Sequence, residues 1–283
     1  MEKPPVIDAH QHFWKVERGD YGWLRPELGS IYRDFGPTDL APFMVRHHIE
    51  KTIVVQAAPT VAETEYLLQI AESTASVAGV VGWADFEASD AEEVIARLSA
   101  NRLLVGLRPM VQDIADDDWL LRPGLDQAFR ALVRHGLVFD ALVLPRHLGQ
   151  LSRIVERYPD LPVVIDHLAK PAIAVGALDP WRADMAVFQQ FPQVFCKLSG
   201  MVTEAGFDWS VEDLLPYARH IMQIFGPERV IWGSDWPVVD LGGGYDVWRA
   251  ATLEILQEVA PSEKDAILGG NAQRLYLNDR GRS

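Results

Sequence analysis

Val6-Ile7-Asp8-Ala9-His10-Gln11-His12-Phe13-Trp14 begins as a short apolar run and ends in two histidines two residues apart. In an extended backbone residues i and i+2 point to the same side, so His10 and His12 can converge on one point at a strand end. Two convergent imidazoles suit a metal ion or a pair of hydrogen-bond donors. A His-x-His pair alone is a common surface or core feature. Its meaning depends on what recurs downstream.

Apolar runs of the same kind return along the chain. Residues 6–9, 52–56, 78–83, 103–108, 137–142, 162–167, 194–198 and 230–233 read as strands. Their starts lie roughly 25–45 residues apart, wide enough for a helix in each gap. The gaps carry helical segments at 60–73, 89–100, 123–135, 145–158, 180–191, 210–225 and 246–260. The first opens with the capping box Thr60-Val61-Ala62-Glu63, and several others open with proline or an N-cap residue. Several strands are nearly all apolar, as strands covered on both faces are. Eight strands alternating with helices predict a closed (β/α)8 TIM barrel, an α/β fold occupying residues 1–283 as one domain. No glycine-rich nucleotide loop follows the first strand. Two long connections, 13–38 and 110–122, lie where barrel enzymes carry substrate loops.

Composition narrows the function. With 48% hydrophobic and 23% charged residues, the chain has the make-up of a soluble globular protein. A formal net charge of −14 leaves no basic stripe to replace phosphate counterions, which argues against nucleic acid. The lone cysteine, Cys196, rules out an intrachain disulfide, fits a reducing compartment and reads as a small core residue. The N-terminus has no basic and apolar leader pattern, and no apolar run approaches the ~18 residues of a membrane span. A cytoplasmic enzyme with a small-molecule partner and no membrane partner is expected. Nine tryptophans favour an aromatic-lined pocket.

In a barrel the active site gathers at the carboxyl ends of the strands. Read in turn, those ends carry His10 and His12, Gln56, Trp83 and Asp85, Arg108, Asp140, Asp166 and His167, Lys197, and Ser234-Asp235-Trp236, with Lys170 just after strand six. Such a density of ionisable groups would be costly to bury without a function. No Gly-x-Ser-x-Gly elbow is present, so a serine nucleophile is not expected. The other histidines, His47, His48, His135, His147 and His220, fall on or beside helices away from these ends.

At these residues the chain resembles the amidohydrolase superfamily, in the branch of the sugar lactonases and pyrone-dicarboxylate lactonases. The matching pieces are Ile7-Asp8-Ala9-His10-Gln11-His12-Phe13-Trp14, Gly106-Leu107-Arg108, Ile165-Asp166-His167-Leu168-Ala169-Lys170-Pro171, Lys197-Leu198-Ser199-Gly200 and Trp232-Gly233-Ser234-Asp235-Trp236-Pro237. His10-Gln11-His12-Phe13-Trp14 with Asp20-Tyr21-Gly22-Trp23-Leu24 looks most like the L-fuconolactonase and L-rhamnonolactonase members.

The resemblance implies that His10, His12, His167 and Asp235 surround the reacting carbonyl. They would act either as ligands of one divalent ion, Zn²⁺ foremost, or as hydrogen-bond donors without a metal. Asp235 would be the general base. The strand-four lysine of binuclear relatives is missing; Arg108 stands there instead. Arg108, Gln56, Asp85, Lys170 and Lys197 are the candidate binders of substrate oxygens, with Trp14, Trp23 and Trp236 as aromatic walls. The alternatives are that Lys170 or Lys197 serves Asp166 or another acid structurally and that Trp14 and Trp23 pack a loop base. The expected reaction is hydrolysis of an L-fucono- or L-rhamnono-lactone to the aldonic acid. Its rivals are a pyrone-dicarboxylate lactonase, a metal-dependent non-oxidative decarboxylase of the same superfamily, and a barrel that only binds a sugar acid.

Overall fold

Eight short strands lie parallel in the order of the sequence. They are β1 (Ile7–Gln11), β2 (Lys51–Val55), β3 (Val77–Gly82), β4 (Leu104–Leu107), β5 (Val138–Ala141), β6 (Val163–Ile165), β7 (Val194–Leu198) and β8 (Val230–Trp232). The structure is a computed structural model that describes residues 3–278. Each strand pairs with the next in parallel register. The barrel closes just past the carboxyl ends of β8 and β1: Asp235 N–H donates to His10 C=O (2.7 Å) and His12 N–H to Trp236 C=O (2.7 Å). Gln11 bridges Trp236 in parallel at this seam. The closing hydrogen bonds therefore come from the segments that carry His10, His12 and Asp235.

The surrounding helices are α1 (Pro37–His47), α2 (Val61–Ser73), α3 (Ala91–Ser99), α4 (Asp126–Arg134), α5 (Leu148–Arg157), α6 (Trp181–Ala186), α7 (Met201–Ala205), α8 (Val211–Phe225), α9 (Tyr245–Ile255) and α10 (Pro261–Asp265). The capping box read at Thr60 is half made. Thr60 Oγ1 accepts from Glu63 N–H (3.1 Å), but the Glu63 carboxylate accepts instead from the N–H groups of Ala57 and Ala58. Segment 180–191 is helical only to Ala186 and continues as a tighter turn to Gln190. Segment 246–260 stops at Ile255, and Pro261 starts the next helix. α7 and α10 went unread because each is only five residues long.

Two apolar layers hold the barrel. Ile7, Ala9, Ile53, Val55, Val81, Val105, Val138, Val164, Phe195 and Ile231 pack together, with Ala272, Leu275 and Tyr276 of the C-terminal segment against them. The alternation within β1 and β2 marks this as the barrel interior. The C-terminal segment enters at the end where the strands begin: Asn271 Nδ2 donates to Val230 C=O (2.7 Å), and Gly269 lies against Pro5 C=O so closely that a Cβ would overlap it. The second, larger layer fills the space between sheet and helices. Fully burying a Val, Ile or Phe contributes roughly 1.5–3 kcal/mol, so both layers weigh heavily against any local strain at the barrel mouth.

Candidate active site

One carboxylate oxygen collects three imidazoles. Asp235 Oδ1 lies 3.3 Å from His12 Nε2, 3.6 Å from His10 Nε2 and 3.9 Å from His167 Nε2. All four residues are at least 96% buried. The far nitrogens of two rings are hydrogen-bonded, His12 Nδ1 with Val55 C=O (2.7 Å) and His167 Nδ1 with Ser199 Oγ (2.9 Å), while His10 Nδ1 stands 3.6 Å from Asp166 Oδ1, beyond hydrogen-bond distance. Arg108 Nη1 reaches His10 Nε2 (3.4 Å) and Asp166 Oδ2 (3.5 Å).

The backbone bends sharply to achieve this. Asp235 has φ = 60°, and His167, Leu168, Ala169 and Lys170 form four successive left-handed residues with φ between 51° and 58°. A left-handed conformation costs an L residue on the order of 1–2 kcal/mol, and strain of this kind persists only where the surroundings impose it. Here a glycine beneath each of two histidines makes room. A Cβ on Gly200 would sit 2.4 Å from His167 Nδ1, and one on Gly233 would sit 2.5 Å from His10 Cβ. In β1 the register shifts between Asp8 and Gln11, the kind of irregularity that re-aims side chains at a barrel rim.

The donor set fits a divalent cation. Val55 C=O only accepts, so His12 Nδ1 must carry the proton, and the Nε2 lone pair of a neutral ring then faces an acceptor-only carboxylate at 3.3 Å. A cation among these atoms turns that repulsion into ligation. His10, His12 and Asp235 place one ligand atom each within 4.8 Å of one another; so do His10, Asp166 and His167. Burial lowers the pKa of His167 to about 4 against the pull of Asp235 and Asp166, and burial with Lys197 nearby holds His10 well below its ordinary value. Both rings are neutral near pH 7, the form that ligates. Burial would raise Asp235, yet the imidazoles facing it hold the carboxyl below its usual range.

A cavity of about 170 Å³ opens over this cluster, room for one small ring, walled by His12, Trp23, Arg108, Gln112, Lys170 and Val238 among others. The loop after β4 supplies Met110, Gln112 and Asp113. Their presence was signalled only by the length of that connection. Lys170 Nζ is 3.7 Å from Glu204 Oε1 on α7.

Several residues read from the sequence as substrate contacts lie elsewhere. Lys197 is fully buried between Asp140 Oδ2 (2.6 Å) and Asp166 Oδ1 (2.9 Å) and does not line the cavity. Gln56 is buried behind Arg108, donating from Nε2 to its C=O (2.7 Å) and accepting from its Nη2 at the backbone oxygen. Asp85 is exposed and turns back to accept from Glu87 N–H (2.9 Å). Trp14 packs edge-on against Trp23 and Phe35 and donates to Arg33 C=O (2.7 Å), pinning the first loop; Trp236 packs edge-on against Phe13 and Phe35. Trp23 alone of the three proposed aromatic walls reaches the cavity. Cys196 is buried and its thiol pKa is pushed up by burial, as suits a core residue.

A parallel eight-stranded barrel with three imidazoles gathered on an ionised aspartate at its carboxyl mouth defines the class of barrel hydrolases that activate water beside a carbonyl. The chain belongs to the amidohydrolase family, whose model matches residues 7–277. The L-fucono-1,5-lactonase of Burkholderia ambifaria is 46% identical over 278 residues, which cover 97% of this chain and 96% of that protein. The L-fucono-1,5-lactonase of Burkholderia multivorans is 37% identical, covering 95% of each. The crystal structure of an amidohydrolase from Burkholderia multivorans with bound zinc superposes with a TM-score of 0.91 at 34% identity, over 96% of this chain and 99% of that one.

Proposed function

We propose that this protein hydrolyses a sugar lactone of the L-fucono-1,5-lactone type to the aldonic acid, as a cytoplasmic enzyme with no nucleic-acid partner. No helix among the described residues is long and apolar enough to cross a membrane. The observation that carries the reading is the convergence of His10, His12 and His167 on Asp235 Oδ1 beneath a cavity sized for one small ring. Kinship with two L-fucono-1,5-lactonases along nearly the whole chain supports the substrate class.

The chemistry follows from the residues. Asp235, ionised at neutral pH, takes a proton from water as the water oxygen attacks the lactone carbonyl carbon. Arg108, on the cavity wall, faces the oxygen on which negative charge develops. Collapse of the tetrahedral adduct breaks the bond to the ring oxygen, which takes the proton back from Asp235. The aldonic acid then ionises and releases a proton to solvent. A divalent ion, Zn²⁺ foremost, held by His10, His12, His167 and Asp235 would supply Lewis acidity for the carbonyl and lower the pKa of water. Trp23 and Val238 offer apolar surface to a sugar face, and Gln112, Asp113 and Lys170 offer partners for its hydroxyls.

A pyrone dicarboxylate fits less well. The two cations on the cavity wall already face acids, Arg108 toward Asp166 and Lys170 toward Glu204. The test is a pH-indicator assay over a lactone panel including L-fucono-1,5-lactone, run beside an absorbance assay over aromatic acids, both with added Zn²⁺. Proton release with the sugar lactone supports the proposal. Bleaching of an aromatic acid with no lactone turnover would replace it with decarboxylation, and saturable binding without either reaction would leave a binding protein.

A further inference from the structure

Below the histidines runs a second layer of charge that the reaction does not touch. Asp140, Asp166 and Lys197 each stand two residues beyond a residue of the apolar interior, namely Val138, Val164 and Phe195. By strand alternation Asp140 and Lys197 therefore face the interior, one layer nearer the mouth, and Asp166, the first residue past β6, meets Lys197 there. All three are fully buried. Lys197 Nζ bridges the two carboxylates, at 2.6 Å from Asp140 Oδ2 and 2.9 Å from Asp166 Oδ1. From below, Tyr276 Oη donates to Asp140, lying 2.9 Å from both of its oxygens, with Lys197 Nζ 5.6 Å from the centre of its ring. From above, Asp166 faces His10 Nδ1 at 3.6 Å and Arg108 Nη1 at 3.5 Å.

We propose that Tyr276, Asp140 and Lys197 form a clamp that fixes Asp166 and, through it, the ring of His10 and the fork of Arg108, making the C-terminal segment a positioning element of the reacting centre. The tautomer argument shows what the clamp secures. Arg108 only donates, so His10 Nε2 presents its lone pair toward Arg108 and the cluster, and the proton stays on Nδ1 toward Asp166. Asp166 keeps that orientation only while one of its oxygens is committed to Lys197. Lys197 in turn stays between the acids because Tyr276 holds Asp140 square to it. Burial would favour a neutral amine, but the two carboxylates raise the Lys197 pKa and keep the ammonium charged. None of the three clamp residues lines the cavity, so their effect on substrate is transmitted. The idea rests on the reading of His10 as part of the reacting centre.

Tyr276→Phe is the decisive variant, because it keeps the ring and removes one hydroxyl. Asp140→Asn, which keeps the shape and leaves Lys197 its bond to Asp166, is the second should Tyr276→Phe fail to fold. The expected result is a kcat on L-fucono-1,5-lactone lowered about tenfold with KM within about twofold, together with a displaced His10 side-chain ¹⁵N signal in the metal-free protein. Zinc binding should weaken about tenfold, as when an outer-shell partner of a ligating histidine is lost. An unchanged kcat and an unmoved His10 signal with a lower melting temperature would make the network purely structural and overturn the proposal. So would a raised KM at unchanged kcat, which would make the network part of substrate binding. If the wild type turns over no lactone, the proposed activity fails by itself, and the His10 signal and zinc titration still decide the clamp.

Discussion

Gly200 and Gly176 share a left-handed backbone, φ = 64° and 65°, in different surroundings, and the pair isolates what the site requires of its glycine. A Cβ on Gly176, at the end of the short turn Ile173–Val175, would meet nothing within 4 Å. A Cβ on Gly200 would lie 2.4 Å from His167 Nδ1 and 2.6 Å from its Cγ. Gly176→Ala should therefore cost only the left-handed strain, about 1–2 kcal/mol. Gly200→Ala should cost the same strain plus about 1–3 kcal/mol for overpacking. Ordinary contact begins at 3.4 Å, so His167 would have to retreat by about 1 Å, the difference between 3.4 and 2.4 Å. It cannot do so freely, since Nδ1 meets Ser199 Oγ at 2.9 Å and its own backbone is left-handed. A displacement of that size costs on the order of 100-fold in rate. Urea unfolding and the lactone assay on both variants measure the two quantities. The reasoning fails if folded Gly200→Ala stays within twofold of the wild-type kcat/KM, or if Gly176→Ala loses as much activity.

Asp235→Asn should lower turnover by about 10²–10⁴-fold, the usual worth of a general base, with an unaltered circular dichroism spectrum; wild-type turnover would remove Asp235 from that role. Dialysis against a chelator should abolish most lactone turnover, and added Zn²⁺ should restore it; a rate indifferent to both would leave carbonyl polarisation to Arg108 and the histidines. Burial raises the Glu63 pKa from 4.5 to about 8 despite the bonds from Ala57 and Ala58 N–H. The native state thus holds that proton more tightly than the unfolded one, so the stabilisation is complete below about pH 4.5 and is lost as pH rises through 8. Urea midpoints of the wild type should fall over that window while those of Glu63→Gln stay flatter, and parallel profiles would contradict the assignment.

The sequence disclosed strand ends well and side-chain direction poorly, for one physical reason. A barrel strand covered on both faces announces itself by apolar composition, and its first polar residue marks the mouth; His10, His12, Arg108, His167 and Asp235 were legible on those terms. Direction beyond the last paired residue is not periodic. β1 ends at Gln11, so the alternation that aligned His10 with His12 no longer governs Trp14, which turned into the base of the first loop. Trp236 adjoins Asp235 but leaves the cavity at the seam. Lys197 was misplaced for the opposite reason: it lies within β7, where alternation does hold. Phe195 two residues before it faces the interior, so parity assigns Lys197 to the inside of the barrel, below the mouth. An ammonium there needs acids around it, and Asp140 on β5 and Asp166, the first residue past β6, supply them.

The same geometry ties site assembly to completion of the fold. Asp235 N–H and His12 N–H make the hydrogen bonds that close β8 against β1, and Asp8, on β1, accepts from Ser234 N–H (2.8 Å) and Tyr245 Oη (3.0 Å) across the same seam. His10 and His12 are 223 or more residues from Asp235 in sequence, so no local structure can bring them together. Until the last strand docks on the first, neither His10 nor His12 stands beside Asp235 and its charge stays in water, where it costs nothing. Docking removes that water, and the histidines are then what make the buried carboxylate tolerable. The acid needed for chemistry is thus compensated by the groups it acts with, and replacing those histidines should weaken barrel closure as well as turnover.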